Sequence, residues 1–239
     1  MVELLIALAI SSFLILGITQ IYIDSKRSNY FQAGQMENNE NARFVVMMLD
    51  AELHKAGYRR RPDQDYTHVF PSDDDFEEGS AVRVIDENTF EIRYQPHSSK
   101  DISCSGNTQQ GTNIDKGYET IGIDLQTVKI DFSDESIKCA GNEIISNVHA
   151  AEFLYAVAIN PNNTASGFKY VKHNEVGSQK IKGIRYRLLL NSTMSNLSDS
   201  VDSAAVDAFY AEDDEGRPTA RAVYQTVTKN IQLRNLESW

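Results

Sequence analysis

The chain predicts an α+β fold, one long N-terminal helix followed by a β-rich antiparallel body, on three observations. Leu4 to Ile23 form an uncharged, mostly apolar run. No proline precedes Pro62, and Ala42, Val45, Val46, Leu49, Leu53 and Ala56 recur at i, i+3, i+4, i+7, i+11 and i+14, one stripe of a 3.6-residue helix. From Ala81 onward that period gives way to short alternating segments separated by polar turns.

The apolar run comes first in the chain. Its 20 residues, at about 1.5 Å rise each, span roughly 30 Å, the thickness of a bilayer's hydrocarbon core. A secretory signal fits poorly, because the first cation is Lys26 and the run exceeds the usual apolar core of about 7–15 residues. Glu3 stands alone at the mouth of this run. A carboxylate in lipid costs at least a few kcal/mol, and the chain offers no nearby cation, so its expected partner is another molecule.

Helical signal continues past the membrane run. Arg43, Asp50 and His54 fall opposite the apolar stripe. Gly57 follows the last periodic residue as the expected C-cap, and Arg59–Arg61 with Pro62 close the segment. The expectation is one helix of about 55 residues, some 80 Å long. Its middle, Gln35 to Asn41, is polar all round, and Gly34 is a candidate bend. The predicted layout is a membrane helix over 1–23, its amphipathic continuation over 24–57, and a globular β-rich domain over 58–239.

Residues 63–80 read as an acidic loop. Ala81–Ile85 and Thr89–Gln95 flank an Asp-Glu-Asn turn as a hairpin. Residues 96–120 read as a surface loop carrying Cys104. Thr127–Phe132, Ser136–Cys139 and Glu143–Val148 read as strands. Phe153–Ile159 and Ile184–Leu190 are the strongest core strands, joined by an Asn/Gly-rich loop. A short helix is expected near Ser203–Tyr210, and Ala222–Leu233 closes the chain as a strand.

Net charge is −11 over 239 residues. Such a surface repels nucleic-acid phosphates, so no nucleic-acid partner is expected. Cys104 and Cys139 lack CxxC spacing or a histidine cluster, which speaks against a metal. In an oxidising compartment they are expected to form a disulfide contributing roughly 3–4 kcal/mol; two unpaired thiols are the alternative. Lys26 and Arg27 follow the apolar run, and the positive-inside rule would put that end in the cytoplasm. The cysteines argue for a body facing the periplasm or exterior, and that orientation is adopted.

The opening VELLIALAI resembles the start of type IV pilins and type II secretion pseudopilins. Asn39–Tyr58, NENARFVVMMLDAELHKAGY, resembles the helical segment of the PilW family of minor pilins, with its N-x-R-F opening and A-G-Y close. Ala151–Ala158 with Ile184–Leu190, and the ending Val223–Asn235, are also similar. The resemblance implies a pilin-like fold in which the long helix lies on an antiparallel sheet. It also implies a peptidase that cuts after a glycine and methylates a phenylalanine. Here Met1 stands where the family has its third mature residue, so a basic leader is expected upstream.

By the same resemblance, Glu3 neutralises the terminal amine of a neighbouring subunit, and Leu4, Leu5, Leu8, Phe13 and Leu16 pack against sister helices. The implied partners are other minor pilins, the major pilin, a large tip adhesin, and inner-membrane lipid before assembly. Two plainer readings stand beside this: Glu3 at the membrane interface favoured by the helix dipole, and the run as a simple anchor. A J-type pseudopilin and a membrane-tethered binding module are the competing functions. The tethered module expects a flexible linker between anchor and body.

Other signals are weak. Asp73–Asp75 with Glu77–Glu78, and Glu212–Glu215, lack the spaced calcium pattern and read as solvated loops. The histidines 54, 68, 97, 149 and 173 show no zinc spacing. No catalytic elbow, P-loop or dinucleotide fingerprint occurs, so neither cofactor nor enzyme is expected. N-x-[ST] matches at Asn162, Asn191 and Asn196 carry little weight. Tyr155, Phe168, Tyr170 and Tyr186 read as core or hairpin packing.

Overall fold

The computed structural model describes residues 2–98, 101–104, 106, 125–160, 167–195, 204–211 and 214–236. Helix α1 covers Val2–Leu53, 52 residues. It passes through Gly34 without unwinding; that glycine is buried one turn before the buried Asn38. After Leu53 the chain tightens into i→i+3 bonds, Lys55 N to Glu52 O and Ala56 N to Leu53 O. The helix therefore ends before Gly57, which takes φ +73° and donates its N–H to the Arg93 carbonyl at 3.0 Å. A Cβ at Gly57 would stand 2.7 Å from the Tyr66 hydroxyl and 2.9 Å from the Asn235 carbonyl, so glycine is required there twice over.

The chain forms two compact units, Met1–Glu40 with Asn191–Gln225, and Asn41–Leu190 with Thr226–Trp239. In the larger unit, β1 (Val82–Val84), β2 (Thr89–Tyr94), β3 (Gln126–Ser133), β4 (Ser136–Cys139) and β5 (Asn142–Ile145) form a sheet in chain order, each antiparallel to the next. Strands β6 (Val148–Ala158), β7 (Phe168–Val171), β8 (Gly183–Asn191) and β9 (Tyr224–Gln232) form a second sheet in the order β7-β6-β8-β9. The β-rich body is thus two sheets. Two-residue turns join β3 to β4 through Asp134 and Glu135 (φ 53° and 54°), and β4 to β5 through Ala140 and Gly141 (φ 50° and 81°). Positive φ at both turn positions matches the strands' right-handed twist.

One core joins α1 to both sheets. All six stripe residues, Ala42, Val45, Val46, Leu49, Leu53 and Ala56, belong to it. Phe90 of β2 meets Phe153 and Tyr155 of β6 edge-on, at centroid distances of 5.2 and 6.1 Å. Strands β6 and β8 alternate as expected, with Phe153, Tyr155 and Val157 facing Ile184, Tyr186, Leu188 and Leu190 in the interior. Cys104 and Cys139 form a disulfide, Cα atoms 5.9 Å apart, that ties residues 101–104 to β4.

Several expectations need correcting. Opposite the apolar stripe, Asp50 and His54 have partners in the C-terminal segment: Asp50 pairs with Lys229 of β9, and the His54 carbonyl accepts from Asn235 Nδ2 at 2.7 Å. The acidic loop contains a short helix, α2 (Tyr66–Val69), capped by the Asp65 carboxylate on Thr67 N. The loop between the two core strands contains β7, paired with β6 from Tyr155↔Val171 to Ala158↔Phe168. Only Val171 of that strand is buried, so it carries no alternation to read. Phe168 is 40% exposed, and Tyr170 lies under the Arg185 guanidinium, 3.9 Å from its centroid. Most of 96–120 lies outside the described residues, as do Glu212, Asp213, Asn162 and Asn196.

In the smaller unit the polar middle of α1 has specific work. Asn38, fully buried, donates from Nδ2 to the Val223 carbonyl at 2.8 Å. Glu37 accepts from the amide and hydroxyl of Thr193, and Asn39 accepts from Gln225 Nε2 at 3.1 Å. Ser192 and Val223 exchange further bonds, Ser192 N to Val223 O at 2.9 Å and Val223 N to Ser192 Oγ at 3.1 Å. Helix α3 (Ala204–Asp207) buries Val206 and pairs Asp207 with Arg217 at 2.5 Å.

Candidate assembly helix

Glu3 occupies the first turn of α1 and is exposed, and no side chain pairs with it among the described residues. A carboxylate there is favoured by the partial positive charge of the unpaired N–H groups. Beyond it the apolar run is bare. Leu4, Leu5, Leu8, Phe13 and Leu16 are 70, 68, 66, 78 and 68% exposed. These five do not form one stripe. Leu4 and Leu8 share a face, whereas nine residues turn the helix by about 180°, which sets Phe13 opposite Leu4. The run is apolar around its whole circumference, the pattern of a helix meant to be surrounded.

Its few polar side chains are satisfied within the helix. Ser11 Oγ donates to the Ala7 carbonyl at 2.8 Å, Ser12 Oγ to Ala9 at 2.8 Å, and Thr19 Oγ1 to Ile15 at 2.7 Å. None of these three hydroxyls needs water, which suits a hydrocarbon surrounding. Near the end of the run, the Gln20 amide donates to both Asp24 oxygens at 3.1 and 3.2 Å. This is the one helix in the described residues long and apolar enough to cross a membrane, and none of its apolar window is buried.

The acidic loop is organised from inside. Arg93, on β2 and 1% exposed, donates Nε to Ser80 O (2.6 Å), Nη1 to Pro71 O and Asp73 Oδ2 (2.9 and 3.2 Å), and Nη2 to Phe70 O and Glu77 O (3.3 and 3.1 Å). All five guanidinium N–H groups are used. The Phe76 ring lies over it at 4.5 Å. Asp73 Oδ1 accepts from the amides of Asp75 and Phe76, and Asp75 pairs with Arg83 at 2.6 Å. Partial burial pushes the Asp73 carboxyl up, but those two amides and the Arg93 and Arg83 charges outweigh it and hold it below its ordinary range. The sequence marked only the acids; Arg93 carried no signal, since its acceptors are backbone carbonyls.

Concavities also occur among the described residues. A groove of about 370 Å³ is lined by Ala51, His54, Lys55, Tyr58, Tyr94 and His97, among others. Tyr58 OH and His97 Nδ1 lie 3.1 Å apart in it, and Lys55 bridges Glu52 Oε1 and the Ile102 carbonyl at 2.8 and 3.1 Å. Burial, with the charges of Glu52 and Asp101, drives the Tyr94 phenol far above its ordinary value. A smaller, polar cleft of about 220 Å³ lies by Arg83, Glu77 and His173. Among the described residues no three metal-ligating side chains converge.

No family model and no curated protein matches this chain. Among solved structures, a type IV-like pilin from Thermus thermophilus is similar at 11% identity and a TM-score of 0.47, covering 83% of this chain and 98% of that one.

Proposed function

We propose that this chain is a structural, non-enzymatic subunit of a type IV pilus, a minor pilin of the PilW kind that helps prime assembly and sits near the filament tip. One observation carries the reading: a single helix is bare and apolar over Leu4–Ile23 and buried by its stripe over Ala42–Ala56. The first stretch holds the chain in the inner membrane with the body in the periplasm, and the second seats the end of the helix in the core of the larger unit. This corresponds to a membrane helix over 1–23, its continuation over 24–57 and a globular domain over 58–239.

On leaving the bilayer the apolar circumference must be re-covered, and sister helices of other minor pilins and of the major pilin supply that cover. At roughly 25 cal/mol per Å² of apolar surface, bare leucines cannot stay in water. Glu3 sets the register: inside a helical bundle its charge is tolerable only beside a cation, and the terminal amine of a neighbouring subunit is the partner. A large tip adhesin is the expected distal partner. A tethered binding module would call for a linker, and the unbroken helix from Val2 to Leu53 speaks against one. A J-type pseudopilin would share this layout and differ in the fibre it joins.

The test is Glu3→Ala. The variant is expected in the membrane fraction at wild-type level and absent from sheared pili. Normal incorporation into pili would overturn the assembly role.

A further inference from the structure

At the end of the apolar run and just past it, Tyr22, Lys26 and Tyr30 follow one another at four-residue spacing, which sets them on one face of α1. All three are exposed, Tyr22 at 64% and Tyr30 at 40%, and Lys26 Nζ lies 5.6 Å from the centre of the Tyr30 ring. Arg27 is adjacent. In a chain of net charge −11, Lys26 and Arg27 are the only cations among the first 42 residues, and they fall within one turn of Ile23, where the apolar run ends. The nearest acid, Asp24, accepts from Gln20; it lies about 200° around the helix from Lys26 and about 60° from Arg27.

From this placement we propose that Tyr22, Lys26, Arg27 and Tyr30 form a binding site for anionic phospholipid headgroups on the leaflet facing the body. The proposal rests on the membrane-spanning part of the reading above. With Leu4–Ile23 in the hydrocarbon, Tyr22 stands at its edge and Lys26, Arg27 and Tyr30 lie within about 11 Å beyond Ile23, toward the headgroups. Tyrosines prefer that depth, with ring in the acyl boundary and hydroxyl among phosphates. Lys26 and Arg27 meet phosphate charge there while the acidic body is repelled from the same surface. The site opposes that repulsion and fixes how deep the helix sits. It also gives the basic pair a role on the outer flank, where the positive-inside rule does not want it.

The experiment uses the full chain, diluted from detergent into phosphatidylcholine vesicles with or without phosphatidylglycerol and scored by co-flotation. Wild type is expected in both, with a preference for the anionic vesicles of about fivefold per cation that fades as salt rises. The Lys26→Gln, Arg27→Gln double variant is expected to enter both equally. Equal partitioning of wild type, or a preference that survives the double substitution or high salt, overturns the headgroup site and leaves the membrane helix intact. Failure of wild type to enter either vesicle sinks the spanning reading and this site with it.

Discussion

Arg93 shows how much one side chain decides. Among the described residues it is the largest that is fully buried, and its five donors hold Phe70, Pro71, Asp73, Glu77 and Ser80 in one arrangement. Replacing it with Met removes all five bonds and leaves the Pro71 and Ser80 carbonyls without this donor, while Phe70 O and Glu77 O keep the amides of Gly79 and Ser80; the expected loss is about 2–4 kcal/mol. Lys, with a single ammonium, cannot satisfy the same set and is expected to fall well short of rescue. Thermal denaturation of the two variants checks this; a wild-type melting temperature for Arg93→Met would refute it. The pH dependence belongs to Asp73. Its carboxyl is depressed in the folded state, so its contribution is complete above the unfolded value of about 3.9 and is lost as pH falls below it. Asp73→Asn should therefore cost stability at neutral pH and flatten the acid limb of the stability curve, as read by urea titrations at pH 7 and pH 3. Neither role was legible beforehand, because the acceptors lie 13 to 23 residues from Arg93 and four of the five are main chain.

Individual elements divide by how local their cause is. The amphipathic half of α1 was readable because its stripe repeats every turn, and all six stripe residues entered the core. The β1–β2 hairpin was readable from its Asp-Glu-Asn turn, in which Asp86 Oδ1 accepts from Asn88 N at 2.8 Å. Strand β7 was not, since four residues with one buried side chain carry no period. The turn between β4 and β5 offers a test at this scale. Ala140 is exposed and sits at φ 50°, a region that costs a residue with a Cβ roughly 1–2 kcal/mol. Ala140→Gly is expected to stabilise the chain by up to about 1 kcal/mol, and Ala140→Val to destabilise it by at least as much. Equal effects of the two substitutions in a denaturant titration would show that the turn is not held in this conformation.

At the level of the whole molecule, stability and membrane attachment draw on separate stretches of the same helix. None of the apolar window in Leu4–Ile23 is buried, whereas Val45, Leu49, Leu53 and Ala56 are at most 1% exposed. A chain lacking residues 1–23 is therefore expected to stay in solution without detergent. Its melting temperature should remain within about 2 °C of that of the full chain in detergent, since surface changes cost under about 0.5 kcal/mol. Leu49→Ala should instead cost about 2–5 kcal/mol in either form. A large loss on truncation would mean the first stretch supports the body after all.

By itself the amino-acid order determined the α+β class, the membrane-length helix, the lone Glu3 and the stripe that seats α1. Each follows from charge or from a period of 2 or 3.6, properties that neighbours along the chain settle among themselves. Tertiary structure alone decided that the strands divide into two sheets and that Asp50 and His54 have partners in the C-terminal segment. It also decided that the polar middle of α1 clasps Thr193, Val223 and Gln225, and that a buried arginine holds the acidic loop. Those outcomes depend on groups brought together from 13 to 186 positions apart, many of them backbone amides and carbonyls. Such groups are the same in every residue, so no pattern of side chains announces where they will meet.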